Sequence, residues 1–167
     1  MSDIVLIVLA RVVHIMAGVS WAGATFVLAA VVVPMTARYG AEGFGRWTGL
    51  IARRVGPVSG ISALLTVLSG IYLFASLHPD DSSLGGSVLK AGAVAALLSL
   101  ATGFLVSRPA GQKLAKLSEP SPAAFSDSLQ QMAGLRRRVA IGSRLAAALL
   151  GVSILSMAVF RYVQALA

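Results

Sequence analysis

Apolar residues fall into four long stretches that carry almost no charge: Ile4–Met35, Val55–Leu77, Leu89–Val106 and Leu145–Phe160. A helix needs about 17–20 apolar residues to cross the hydrocarbon layer. The first three stretches reach that length directly, and the fourth reaches it with its flanks. Lipid offers a backbone no hydrogen bonds, so a crossing segment must satisfy its own amides within a helix. The pattern therefore predicts an all-α integral membrane protein, a single four-transmembrane-helix bundle with approximate spans 4–35, 55–77, 87–106 and 140–163. The connections 36–54 and 107–139 carry the polar residues.

The charges orient this bundle. Arg38, Arg46, Arg53 and Arg54 lie in the first connection, and Arg108, Lys113, Lys116, Arg136, Arg137, Arg138 and Arg144 in the third. The second, 76–87, has no cation and carries Asp80 and Asp81. The positive-inside rule predicts the first and third connections in the cytoplasm and both termini outside. A cleaved leader is not expected, because Asp3 and no cation precede Arg11 and the apolar run continues past it. Phe44, Trp47 and Ile51 have the spacing of a short helix at the headgroup boundary. The Pro-containing Ser118–Pro122 marks a break. Phe125, Leu129, Met132 and Val139 keep a helical period beyond it, which predicts a long last helix that starts before the bilayer. No internal repeat stands out.

Composition narrows the function. With 57% hydrophobic residues, 12% charged and a mean hydropathy of +0.84, the chain is far from soluble composition. It has no cysteine, which excludes disulfides, thiolate metal sites and cysteine catalysis. The net charge of +8 flanks apolar spans, so the expected partner is the lipid bilayer with its anionic headgroups, not nucleic acid.

A few polar residues interrupt the spans. Arg11, His14, Gly18, Trp21 and Thr25 recur at intervals of 3 and 4 and share one face of the first helix. Val55, Ser59, Ser62, Thr66 and Ser69 do the same on the second, and such small and hydroxylated faces pack membrane helices closely. Ionisable residues within a span cost roughly 2.5–3.5 kcal/mol by insertion scales and are functional candidates. By topology Arg11, His14, Lys90, Met157 and Arg161 all fall in the outer half. His14, the only histidine within a span, is the candidate ligand for a haem iron or a copper ion. Lys90 and Met157 are candidate second ligands, and Arg11 and Arg161 suit the carboxylates of a haem. As simpler roles, the arginines and Lys90 snorkel to headgroups, Met157 packs, and His78 is a solvated loop residue or, with Asp80 and Asp81, part of an external metal site. No membrane-embedded acid, Ser/His/Asp arrangement or phosphate-binding glycine loop is present.

The stretch from Arg11 through His14 and Gly18 to Gly23 resembles the first helix of a bacterial membrane superfamily that includes copper-resistance D proteins and HemJ-type protoporphyrinogen oxidases. Arg53–Pro57 with Ser69–Leu73, and Val88–Gly92 around Lys90, resemble its second and third helices. The resemblance implies a bacterial inner-membrane protein in which His14 and Lys90 bind a b-type haem. Around Lys90 the chain lacks the histidine and bulky aromatics typical of the HemJ type. Its five Met and two His are fewer than copper-resistance D proteins carry. The leading expectation is a haem b membrane redox protein, possible oxidoreductase chemistry being directed at a porphyrin-like or quinone-like substrate. The alternatives are copper handling, with His14 as the metal ligand, and a non-catalytic bundle that assembles as a homo-oligomer.

Overall fold

The computed structural model describes residues 2–78, 81–117 and 125–166, with the side chains of 2, 37, 39–53, 115 and 125–129 outside the description. The described residues form helix and no strand. They make α1 (Ser2–Val27), a π-helical turn (Leu28–Val32), α2 (Val33–Leu77), α3 (Leu84–Thr102), a second π turn (Gly103–Ser107), α4 (Arg108–Leu117) and α5 (Phe125–Leu166). Four segments are long and apolar enough to cross a membrane: Asp3–Thr36, Arg54–Leu77, Leu84–Leu114 and Gln130–Leu166. The expected headgroup helix at Phe44, Trp47 and Ile51 has its side chains outside the described residues, as does the Ser118–Pro122 break. The long last helix is present as α5.

Helical hydrogen bonding runs from α1 through α2, yet His14 touches Thr66. A straight helix would hold those residues about 78 Å apart. The chain therefore turns back between them, and α1 around His14 and Gly18 runs antiparallel to the part of α2 around Thr66 and Gly70. α3, its π turn and α4 form one continuous rod against which α5 packs antiparallel along its length. α1 also lies beside α5, which places α1 and α3 on one diagonal of the bundle.

Small residues set how close the second hairpin comes. Gly85, Gly92 and Ser99 follow one another at seven-residue steps, which returns them to one face of α3. A Cβ on Gly85 would lie 2.7 Å from Gln164 Cβ, and one on Gly92 2.6 Å from Ser156 Cβ. Ser99, 2% exposed, donates from Oγ to the Ala146 carbonyl at 2.9 Å. The next seam residue is Ser107, eight positions on, whose Oγ sits where a Cβ on Gly142 would be 2.5 Å away. The extra residue is what the π turn adds.

Both π turns end two residues before a proline, Pro34 and Pro109. Proline has no N–H and its ring presses on the carbonyl four residues back, so a helix must widen or kink there. Here it widens: Val33 N–H donates to the Leu28 carbonyl and Arg108 N–H to that of Gly103, both five residues back. The two turns lie 75 positions apart, a local repeat that the side chains around the prolines disguise.

The two hairpins meet in a small core of Trp21 and Ala22 from α1, Ala63 from α2 and Leu150 from α5, with Val67, Ala96 and Leu100 against it. Most large apolar side chains point outward instead, among them Ile15, Ile61, Leu97 and Leu155. That is the distribution expected where the surroundings are hydrocarbon, since lipid tails do not drive such side chains inward.

Candidate functional site

His14 is lodged in the seam between α1 and α2. Its Nδ1 lies 2.8 Å from the Thr66 carbonyl oxygen, an acceptor only, so Nδ1 carries the hydrogen and donates it. Ser69 Oγ stands 3.3 Å from the same nitrogen, while its own hydrogen is directed at the Leu65 carbonyl. Thr66 Oγ1 is engaged by donating to the Ser62 carbonyl at 2.7 Å. With Nδ1–H committed, neutral imidazole leaves Nε2 with a lone pair. No described residue bonds Nε2, and the ring is only half-buried. A histidine that gives one ring N–H to a carbonyl and holds the other nitrogen free is oriented as a ligand or a base.

Gly70 makes room for this ring. A Cβ there would lie 2.9 Å from His14 Cε1 and 3.2 Å from Nδ1. Sequence reasoning passed over Gly70. The available signal was a glycine inside a span, which costs about 1 kcal/mol against alanine and calls for a packing reason. Gly18, by contrast, shows only ordinary contact, 3.6 Å from Thr66 Cγ2.

The shared core fixes the heights of the other candidates. Seven residues separate Trp21 from His14, and seven separate Leu150 from Met157 on antiparallel α5, so Met157 stands level with His14, half-buried. Lys90 stands about as far along α3, counted from Ala96. Its side chain is exposed, however, and Nζ donates to the Asp81 carbonyl at 2.8 Å. No described contact brings Lys90 to His14. Arg11 and Arg161 are exposed, each about one turn nearer the termini than His14 and Met157 respectively.

His78, the first residue past α2, lies in the connection but is not fully solvated. It is half-buried, stacked on Phe74 with ring centroids 6.1 Å apart and edge-on to Phe160 at 5.8 Å, and so ties the end of α2 to α5. Asp80 lies outside the described residues. Among those described, no three His, Cys, Asp or Glu side chains gather to hold a metal ion.

The same end of the molecule carries a capped connection. Ser83 is the N-cap of α3: its Oγ accepts from Gly86 N–H at 3.0 Å, and its own N–H donates to Asp81 Oδ1 at 3.0 Å. Hydrogen bonds from the Ser83 side chain and amide hold the Asp81 carboxyl below the usual aspartate range. Desolvation opposes them, and the charges of His78 and Lys90 add a lesser lowering. A depressed carboxyl contributes order that is fully present above its unfolded value, about 3.9, and is lost as pH falls through the lower folded value. The protection of the Ser83 amide, its exchange relative to the intrinsic rate at each pH, is therefore expected to hold from pH 7 to about 5 and to fall only below about pH 4. Asp81→Asn should show that lost protection already at neutral pH.

Comparison with family models, curated proteins and solved structures returns no match to this chain.

Proposed function

We propose that this chain is a multi-pass redox protein of a bacterial inner membrane that holds a b-type haem in the outer half of its bundle, with both termini outside. The observation that carries the reading is His14, whose Nδ1–H is fixed on the Thr66 carbonyl so that Nε2 is free to ligate. The donor set suits a haem better than a bare ion. A porphyrin brings four nitrogen ligands of its own, so one or two protein donors suffice, whereas copper or zinc needs three or four from the chain. Met157, level with His14 on the neighbouring helix, is the second ligand that the packing favours. Lys90 would first have to leave the Asp81 carbonyl. Arg11 and Arg161, one turn nearer the termini, would meet two carboxylates with forked hydrogen bonds.

When bound, a haem would supply one-electron chemistry. The chain would orient it through His14, hold its carboxylates at the polar edge and exclude water with the Trp21–Leu150 core below. A porphyrin-like or quinone-like substrate would arrive through the bilayer. The test is the absorption spectrum of protein purified in mild detergent from haem-replete cells. A Soret band is expected in the parent and lost in His14→Ala, with helix content retained. A colourless parent, or a band unaffected by His14→Ala, would overturn the reading, and copper retained through His14 would replace it with metal handling.

A further inference from the structure

The two π turns each open a recess at the basic end of the bundle, opposite His14. Beside the first, Ala30, Val31, Pro34, Met35 and Arg38 line a space of about 430 Å³. Beside the second, the recess of about 270 Å³ is lined at the matching positions by Leu105, Val106, Pro109, Ala110 and Lys113. Both pairs of turn, proline and cation stand 75 positions apart, so the widened turn before each proline leaves the same hollow and puts a cation one turn beyond it. The second recess is the more complete, because α5 closes its far side with Leu135 and adds Arg138.

Charge decides what this recess fits. Lys113 and Arg138 line one space, and among the described residues no carboxylate lines it with them. Two like charges lining one recess repel, and an anion between them relieves that repulsion. The remaining wall is apolar, and it opens outward: Leu105 is 76% exposed and Val106 41%. Beside it the Arg108 guanidinium lies 5.3 Å from the centre of the Phe104 ring, the kind of pair that settles at a membrane–water boundary. An anion at the rim combined with a chain along an outward apolar wall is the chemistry of an acidic phospholipid.

We propose that the α4–α5 recess binds one anionic phospholipid, its phosphate between Lys113 and Arg138 and its acyl chain along Leu105 and Val106. The site is independent of any haem at the other end. It goes beyond general attraction to anionic headgroups, because it assigns one lipid to one place. The Pro34 recess, with a single cation and walls from one helix, is its weaker counterpart.

The test uses the full chain, delipidated in neutral detergent and titrated with mixed micelles of phosphatidylglycerol or phosphatidylcholine, with bound lipid read by native mass spectrometry. One phosphatidylglycerol per chain is expected to be retained in preference to phosphatidylcholine. Lys113→Gln with Arg138→Gln should weaken that retention roughly thirtyfold, about 2 kcal/mol at 1.4 kcal/mol per tenfold, two cations contributing about 1 each. Arg161→Gln at the opposite end should leave it unchanged. Lys113→Arg with Arg138→Lys, which keeps both charges, should preserve it and so separate lost charge from lost folding. Equal retention of the two lipids, an unaffected double-Gln variant, or displacement by inorganic phosphate at the lipid's own concentration would overturn the proposal.

Discussion

Gly92→Ala is expected to pry α5 from α3 and to cost about 3 kcal/mol, the upper end for an added methyl in a filled seam. The added Cβ would stand 2.6 Å from Ser156 Cβ and 3.3 Å from the Ser153 carbonyl. Neither atom can withdraw without moving the α5 backbone, so the strain falls on the helix pair and not on a rotamer. The Ser99–Ala146 hydrogen bond, seven residues along the same seam, would lengthen with it. Unfolding in a denaturing detergent series measures the loss. Ser156→Gly removes the nearer obstacle, so the Gly92→Ala, Ser156→Gly pair should recover most of the stability, the coupling expected of residues in contact. Gly151→Ala is the control. A Cβ there meets nothing within 4 Å, and alanine favours a helix over glycine by about 1 kcal/mol.

Gly70→Ala should have the opposite profile, a small change in stability and a large one at the site. Its Cβ would meet the His14 ring, 2.9 Å from Cε1, which is the far end of a rotatable side chain. The ring yields and the backbone stays. Rotating it away breaks the Nδ1–Thr66 hydrogen bond, whose loss costs about 0.5–1.5 kcal/mol, and turns Nε2 from its present direction. On the proposed function the Soret band falls nearly as far as in His14→Ala, while the denaturation midpoint moves little. Gly18→Ala, which adds only a 3.6 Å contact with Thr66, should leave both readouts close to the parent.

These two glycines show where sequence reading stops. The spans were legible because burial in hydrocarbon needs only length and apolarity, which a run such as Val55–Leu77 displays openly. His14 was legible as a candidate because an ionisable group in a span is expensive and rare. Its partner was not. The acceptor is a backbone carbonyl, which every residue possesses, and the space for the ring comes from a missing side chain on another helix. Lys90 lies at about the height of His14 by residue count, but spacing along a chain says nothing of which diagonal a helix occupies. Its amine turns instead to the Asp81 carbonyl. The π turns were hidden for a related reason. Pro34 and Pro109 announce a disturbance, but whether a helix kinks or widens depends on what packs beside it. The repeat they form is one of backbone geometry more than of residue identity.

The account rests on which nitrogen of His14 carries the hydrogen. Nitrogen-15 NMR of haem-free protein in bilayers reads this directly, and His78→Gln leaves His14 as the sole histidine. The prediction for the neutral ring is a hydrogen on Nδ1, coupled to a carbonyl acceptor, and a bare Nε2. A hydrogen found on Nε2 instead would remove the free lone pair and contradict the account.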